Sequence, residues 1–441
     1  MAKPPTRVSI LPGYLPRLYK GTPVADMLAH SPPLPLIIDH ICDDVDFSEE
    51  DGVGLLLALK QCRDRVRRVH LQMAIPYLHK LVLAIDEEFP ILHHLIIRVP
   101  DTDTSTIMTL PKTFQAPRLQ HLALIGFVLP MEPRSFAVNL VTLAFVMSNP
   151  TAYFRPNTLL QLLSFTPQLE TLVIMFEFRD IDDVETRSQL PYIPITTHVT
   201  LPNLRFFGFR GRSTFTESLV YWITTPRLAK ADFDLFSQDS VNISSLLRFI
   251  DTSKNLTFDS AKLEFFKWRI HMVLYPRDEV EKYAFSMKVD WLSPGYHVSY
   301  MAQLFDAPSQ MFSAVEHLTL ERGNYDRFIG PDNKVEWRRI LRSFYNVKTL
   351  HVDGFVEELP RWLQLDDGEH PLELLPELQE LTYKGGSAGD AFTSFIDARQ
   401  NAGRPVTLVC RRRPYTGLLE SPSETPAITL ASGKTGNELD A

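Results

Sequence analysis

The sequence predicts an α/β solenoid, in which short parallel strands form one sheet and helices cover its outer face. Two observations support this prediction. A phrase of the form Pro-x-Leu-x-x-Leu-x-apolar recurs along the chain, and segments with a helical apolar stripe separate its copies. Self-similarity with a period of about 20–50 residues is the signature of a repeat array.

The phrase is clearest at 167–174, where Leu169, Leu172 and Ile174 follow Pro167. In an extended strand, Leu172 and Ile174 point to the same face because side chains alternate. Further copies begin at Pro90, Pro117, Pro202, Pro226 and Pro376, and proline-free copies begin at Val66, Leu140, Val315 and Val347. A strand, a turn and a helix repeated about every 30 residues indicate an irregular, leucine-rich-repeat-like horseshoe.

Helices are predicted between the phrases. Asn157 is expected to cap a helix over 158–165, which Pro167 ends because the residue before a proline avoids the helical region. Thr214 and Glu217 form a capping-box pattern at the start of another helix. Further helices are predicted over 53–62, 77–87, 244–252, 298–306, 335–345 and 390–402, and a first strand over 34–38.

The segment 234–314 departs from the repeat. It contains two longer strand candidates, over 261–265 and 268–274, followed by a long connection from Pro276 to Pro294. A widened repeat and a separate domain both fit this pattern, and the widened repeat is favoured.

Three regions are therefore predicted: an irregular segment over 1–23, a solenoid over 24–410, and a disordered tail over 411–441 rich in Ser, Pro, Thr and Gly. The acidic stretch 39–51 is interpreted as a solvated loop, because its carboxylates lack the spacing of a calcium-binding loop.

Composition narrows the function classes. The 441 residues carry a formal net charge of -8, which disfavours a nucleic-acid reader because phosphate contacts need excess positive charge. Three widely spaced cysteines predict neither a disulfide framework nor a zinc site. The chain begins without a secretory h-region and has no apolar run long enough for a membrane span. We therefore expect a cytoplasmic or nuclear protein that does not enter a membrane.

The sharpest enzyme signal is the G-x-S-x-G string at 385–389, which matches a hydrolase nucleophile elbow around Ser387. In hydrolases of that fold the catalytic histidine follows the serine, whereas the last histidine here is His370. The string at 432–435 lacks the first glycine of a phosphate-binding loop. His93 and His94 are neighbours in a strand and point to opposite faces. The sequence thus predicts no catalytic residue, no cofactor and no metal site, with a Ser387 hydrolase as the alternative.

Binding is the favoured function class. In each strand the residues between the leucines point away from the core, toward the concave surface. These candidate partner-binding residues are His70, Gln72, Arg98, His121, Thr171, Arg210, Asp232, Asp234, Glu321, His351, Asp353 and Glu380. The row passes from neutral or basic to acidic, so either it steers a partner of complementary charge or it is merely a soluble face.

Four further stretches carry a family resemblance. They are 25–36 with its Pro-Leu-Pro-Leu phrase, Ala-Pro-Arg-Leu-Gln-His-Leu over 116–122, Leu-Leu-Pro-Glu-Leu-Gln-Glu-Leu over 374–381, and the terminal unit 392–408. From about residue 23 to 408 the chain resembles the fungal F-box proteins with degenerate leucine-rich repeats.

The resemblance implies a substrate-recognition subunit, in which the repeats bind an unknown protein target and an F-box docks a Skp-type adaptor of a cullin ubiquitin ligase. The chain departs from that family at its start. Leu11-Pro12 and Leu15-Pro16 supply Leu-Pro dipeptides without the helical body of an F-box. Because a recognisable F-box is missing, either the chain is truncated or it has lost the adaptor-binding module, and docking of the Skp-type adaptor and cullin is in doubt.

Overall fold

The structure is a computed structural model of the chain. It describes residues 34–41, 49–99, 108–128, 137–148, 153–177, 198–238, 243–276, 282–291, 297–305, 310–323, 333–355, 357–365, 368–384 and 391–411. The predicted irregular segment 1–23, the G-x-S-x-G string with Ser387, and the string at 432–435 lie outside these residues.

A sheet of fifteen mostly parallel strands dominates this mixed α/β protein. In chain order the strands are β1 (Leu36–Ile41), β2 (Val66–Gln72), β3 (His94–Arg98), β4 (His121–Ile125), β5 (Thr142–Met147), β6 (Thr171–Phe176), β7 (Val199–Thr200), β8 (Phe206–Gly211), β9 (Ile223–Thr224), β10 (Lys230–Gln238), β11 (Ser260–Phe265), β12 (Arg269–Tyr275), β13 (Phe285–Trp291), β14 (His317–Arg322), β15 (Thr349–Asp353), β16 (Glu380–Lys384) and β17 (Thr407–Arg411). The sheet order is β1-β2-β3-β4-β5-β6-β8-β10-β13-β12-β11-β14-β15-β16-β17, and β7 pairs with β9 separately.

Helices connect most of these strands. They are α1 (Glu49–Gln61), α2 (Ile75–Leu83), α3 (Pro156–Leu163), α4 (Ser213–Val220), α5 (Ser244–Thr252), α6 (His297–Phe305), α7 (Gln310–Ser313), α8 (Lys334–Ser343), α9 (Leu359–Leu363) and α10 (Thr393–Asn401), with a 3-10 turn at Ala137–Asn139. Each predicted helix within the described residues is present. Helix α5 has the predicted ends, and the ends of the others are shifted by a few residues.

The strand phrases stack in register and build the core. Leu172 of β6 pairs with Leu143 of β5 on one side and with Phe207 of β8 on the other. All three side chains are buried, as is the inward stripe of α3 that includes Leu159 and Leu163. Burial of such a side chain contributes about 1.5–3 kcal/mol, so contacts between neighbouring units hold each short strand in place.

The segment between β10 and β14 contributes three strands to the same sheet. β11 pairs antiparallel with β12, β12 pairs antiparallel with β13, and β13 returns to pair parallel with β10. The prediction of a long connection from Pro276 to Pro294 is therefore wrong, because Phe285–Trp291 forms β13 within it. The sequence signal for β13 was the alternation of the apolar residues Phe285, Met287 and Val289, which are buried in the structure.

Two helix starts also differ from the prediction. Helix α3 begins at Pro156 with Arg155 at the cap position, since proline suits the first helical turn, so Asn157 does not cap it. Helix α4 begins at Ser213 without a side-chain cap. Glu217 instead accepts hydrogen bonds from the backbone N–H groups of Ser245 and Leu246, at 2.8 and 2.9 Å, at the start of α5. There its negative charge favours the positive end of the helix dipole.

Two predicted boundaries move at the sheet edges. Asp39 lies in β1 beside His70 of β2, so the predicted acidic loop does not begin at residue 39. Arg411 closes β17 rather than opening the tail, and the remainder of the predicted tail lies outside the described residues. Within the described part of the chain, no helix is both long and apolar enough to cross a membrane.

Candidate functional site

The candidate site is the side of the sheet opposite the helices, which we call the open face. It consists of the strand side chains that alternate with the core-facing ones. All twelve residues predicted for the concave surface lie at these positions, and each is half-buried. For example, His70 lies between buried Val69 and Leu71. Their placement follows from strand alternation, while their role in binding stays a prediction.

Strand register arranges the open face of β2 to β10 in three rows. The row near the amino ends contains Arg68, His94, His121, Thr142, Thr171, Phe206 and Lys230. The middle row contains His70, Ile96, Ala123, Ala144, Val173, Gly208 and Asp232. The row near the carboxyl ends contains Gln72, Arg98, Ile125, Val146, Met175, Arg210 and Asp234.

The predicted residues of this half thus lie at the edges of an apolar area. We call it the apolar trough and define it by Ile96, Ala123, Ile125, Ala144, Val146, Val173 and Met175. Ile125 and Val146 are each only 6% exposed, yet they lie outside the contiguous core. At the β8 edge, the ring of Phe206 approaches within 3.3 Å of where a Cβ on Gly208 would lie. None of the trough residues was predicted, because the candidates taken from the sequence were the polar side chains between the leucines.

Two histidines stack at the edge of the trough. The rings of His94 and His121 are parallel within 2°, with centroids 4.3 Å apart, and His121 Nδ1 lies 3.0 Å from Thr142 Oγ1. Burial first, and then the neighbouring His121 and Arg68, lowers the pKa of His94 to about 4. Burial and the nearby His93 also lower the pKa of His121. Both rings are therefore neutral at pH 7.

His94→Gln should reduce the loss of stability on acidification. Because the folded pKa of His94 lies below its ordinary value of 6.5, the unfolded chain takes up the proton first as the pH falls. The stability that neutral His94 contributes to the wild-type protein is therefore fully present above pH 6.5, and it is lost as the pH falls toward 4. Solvent reaches the rings, so we expect a difference of about 1 kcal/mol. Urea midpoints at pH 7 and pH 4.5 measure it.

The matched control is His79→Gln, because His79 is exposed on α2. It should follow the wild-type pH dependence. If wild type and His94→Gln showed the same pH dependence of stability, the lowered pKa of His94 in the folded protein would be contradicted.

The open face of β11 to β16 is polar and internally paired. Lys262 of β11 bridges two carboxylates, with its Nζ 2.6 Å from Glu264 and 2.7 Å from Glu321. Burial alone would lower the pKa of Lys262, but its hydrogen bonds to both carboxylates raise it. Lys262 was absent from the sequence-predicted set because β11 does not carry the leucine phrase.

Other acidic members of the predicted row are paired in the same way. Asp353 lies 2.7 Å from Lys384 Nζ, and Asp234 lies 3.5 Å from Arg210 Nε. Asp232 accepts a hydrogen bond from the Tyr283 hydroxyl at 3.2 Å. Cations on neighbouring strands therefore compensate Asp234, Glu321 and Asp353, while Asp232 is hydrogen-bonded by a hydroxyl.

A carboxylate–imidazole–hydroxyl chain crosses the β11–β13 strands. Glu264 Oε2 lies 2.8 Å from His271 Nδ1, and His271 Nε2 lies 3.2 Å from Ser286 Oγ. The hydrogen bond from His271, followed by those from Lys262, outweighs burial and lowers the pKa of Glu264 to about 2. With Nδ1–H donating to the ionised carboxylate, Nε2 accepts a hydrogen bond from the Ser286 hydroxyl.

This order matches the acid, base and nucleophile of a hydrolase triad, but its setting does not. Ser286 is only 3% exposed. It lies within β13, which pairs with β10 on one side and β12 on the other. Ladder pairing uses the backbone N–H groups that an oxyanion hole would need. The chain of hydrogen bonds satisfies polar groups of the open face, and its setting differs from the exposed nucleophile and available backbone N–H groups that acyl transfer uses.

A shallow depression of about 320 Å³ lies farther along the open face. It brings two predicted residues, His351 and Glu380, together with Thr319, Thr382 and Arg411. Burial, followed by the nearby Lys384 and Arg411, lowers the pKa of His351. A neutral imidazole, a carboxylate and two hydroxyls can exchange hydrogen bonds with a polar partner.

The remaining candidates do not assemble into a chemical site. His93 Nδ1 contacts the Ile91 carbonyl at 2.7 Å, whereas His94 stacks on His121. Across the described ranges, no group of three or more His, Cys, Asp or Glu side chains is placed to hold a metal ion. The predicted binding residues lie on one face in two groups, His70 to Asp234 around the trough and Glu321 to Glu380 in the polar half.

Comparisons with known proteins add little to this geometry. No family model matches the chain, and no curated protein matches it. One similar solved structure is the crystal structure of a TLR13–ssRNA13 complex, with 13% sequence identity and a TM-score of 0.29. The similarity covers 83% of this chain and 49% of that chain, so this chain spans about half its length. At a TM-score this low the similarity does not support a shared fold. The architecture described above rests on the strand pairing.

Proposed function

We propose that this protein is a non-enzymatic scaffold that binds another protein through the open face of a leucine-rich-repeat-like solenoid. The observation that carries the proposal is the open face itself. It runs across fifteen strands, and the buried apolar stripes of the described helices belong to the core on the opposite side. Stacked repeat units present extended surfaces of this kind to partners.

The surface has the composition of an interaction site. Its first half contains an apolar area with polar residues around it, a combination that marks protein–protein contact surfaces. Its second half contains ion pairs such as Lys262–Glu321 and Lys384–Asp353, which fix the positions of long side chains before a partner arrives. Preorganised side chains lose less conformational freedom on binding.

The resemblance to F-box proteins suggests a finer role within this proposal. As the substrate-recognition part of a ubiquitin-ligase subunit, the open face would hold the protein to be modified inside the cytoplasm or nucleus. The phrases at 116–122 and 374–381 support this role. They are structural phrases, so the adaptor must be sought by experiment.

Affinity capture with two matched variants tests the proposal. Arg98→Glu with Asp353→Lys reverses one charge in each half of the open face without changing the net charge. Arg248→Glu with Asp397→Lys makes the same changes on exposed positions of α5 and α10. Wild type and the helix-side variant should capture the same specific proteins, whereas the open-face variant should lose about tenfold or more, because reversed charges repel a complementary surface.

Mass spectrometry of the captured proteins separates the versions of this proposal. Recovery of Skp-type and cullin subunits supports the ligase role, while specific partners without them support a binding scaffold alone. Absence of any specific partner, or equal capture by the open-face variant, would contradict the proposal.

A serine hydrolase is the second candidate function. The G-x-S-x-G string around Ser387 favours it. The Glu264–His271–Ser286 chain is tested beside it because its order resembles that of a triad, although Ser286 is buried. A serine-directed fluorophosphonate probe should leave the protein unlabelled if it is non-enzymatic. Labelling that disappears in Ser286→Ala or in Ser387→Ala would replace the scaffold proposal with the hydrolase.

A further inference from the structure

We propose that the apolar trough docks an extended partner segment whose aliphatic side chains are flanked at both ends by acidic residues. This inference rests on the proposed binding function and names the chemistry of the partner. Three properties of the trough support it: its aliphatic floor, the small side chains at its centre, and the arginines at its two ends.

The floor of the trough is aliphatic over four adjacent strands. Ile96 and Val173 border Ala123 and Ala144 in the middle row, and Met175 follows in the next row. These five side chains are partly exposed. The two alanines leave space at the centre, where a partner backbone can approach the sheet and its aliphatic side chains can be removed from water.

An arginine stands at each end of the trough. Arg98 of β3 and Arg210 of β8 belong to the same row, with β4, β5 and β6 between them. Four strand spacings separate them by about 19 Å. The Nε of Arg210 lies 3.5 Å from Asp234, which is too long for a good hydrogen bond. Arg210 pairs with Asp234 through Nε, and the other N–H donors of its guanidinium fork match a carboxylate of a partner.

The spacing of the arginines sets the length of the segment. An extended chain rises about 3.3 Å per residue, so carboxylates about six residues apart would reach both guanidinium groups while the residues between them lie on the trough. The amino-end row adds Arg68 and Lys230 on the same face, so this border also favours an acidic partner.

A protein segment fits the trough better than a single-stranded nucleic acid. Bases bind through aromatic platforms on which they stack, and the floor residues are aliphatic. The nearby imidazoles of His94 and His121 already stack on each other at 4.3 Å. Phosphate contacts alone would leave the aliphatic floor uncovered.

A display library of random 12-residue peptides, selected on the full-length protein, provides the probe. We expect enrichment of sequences with aliphatic residues between two acidic residues about six positions apart. Fluorescence anisotropy with the enriched consensus peptide then measures the affinity for each variant.

Arg98→Gln with Arg210→Gln should weaken binding of the consensus peptide about tenfold, because two charge contacts are lost. Ala144→Glu should weaken it at least as much, because it places a charge on the floor of the trough. Arg248→Gln on α5 is the matched control and should leave the affinity unchanged. Arg342→Gln should also leave it unchanged, because Arg342 pairs with Glu369 and Glu373 away from the trough.

Other outcomes overturn the inference in distinguishable ways. Enrichment of peptides without acidic ends would refute the inference and leave the binding function intact. The same holds if Asp353→Asn weakens binding of the peptide and the trough variants do not. Tighter binding of a labelled 20-nucleotide single strand would also refute it. If neither the library nor affinity capture yields a specific partner, the inference and the proposed function fall together.

Discussion

Trp337→Ala should lower the free energy of unfolding by about 3–5 kcal/mol, the usual range for deleting a buried aromatic side chain. Trp337 lies in α8 and is fully buried. Its ring stacks on Trp362 of α9, with centroids 4.0 Å apart and planes 13° apart. It also contacts Phe265 of β11 and Phe355 beyond β15, at 4.8 and 5.4 Å.

The large effect is expected because one side chain of α8 packs against α9, β11 and the segment that follows β15. Deletion would leave a cavity that rings on separate helices and strands cannot fill by moving together. Urea unfolding followed by circular dichroism measures the change. Val335→Ala in the same helix is the control, since Val335 is 65% exposed and should change stability by no more than about 0.5 kcal/mol. Equal effects of the two substitutions would contradict the packing assigned to Trp337.

Arg338→Met should cost about 3 kcal/mol, through the loss of a buried ion pair. The Arg338 side chain is 3% exposed and pairs with Glu369. Its Nη1 donates to the carbonyl of Gln364 at 2.7 Å and lies 3.3 Å from the carbonyl of Trp362. Removal of one partner leaves a buried charge and buried carbonyls without their donor, which costs about 3–5 kcal/mol. We expect the lower end because Glu369 keeps Arg342 at 3.3 Å.

A double-mutant cycle with Glu369→Gln separates the pair from its surroundings. If the two side chains stabilise each other, Glu369→Gln should cost less in the Arg338→Met background than in wild type, by about 1–3 kcal/mol. Additive effects would mean that Arg338 acts through the carbonyls alone. Urea unfolding at pH 7 is again the measurement.

The repeat array could be predicted from the sequence because its strand phrase recurs along the chain. The phrase of Leu172 and Ile174 fixes which residues face the helices, and alternation then fixes which face away. For this reason the twelve candidate residues could be placed on one face without coordinates. The same reasoning gave helix α5 with the observed ends, Ser244–Thr252, because its apolar residues follow the helical period.

The side chains that pair with those residues could not be predicted, because side-chain pairing across the sheet depends on the order of the strands. Lys262 meets Glu321 only because β11 lies beside β14, and Glu264 meets His271 only because β12 folds back on β11. Each of these strands shows alternation on its own. Nothing in one sequence specifies that β13 rather than β11 lies next to β10. The charge balance of the open face therefore required the sheet order.

The reversal at β12 also determines how far apart the two halves of the open face lie. Strands β10 and β11 run in the same direction with β13 and β12 between them. Strands β12 and β13 therefore act as a spacer that moves β11 and the strands beyond it about 10 Å, two strand widths, farther from β10. A partner that touches both halves needs a footprint matched to this offset. Direct pairing of β10 with β11 would bring the trough and the predicted residues of β14 to β16 closer together.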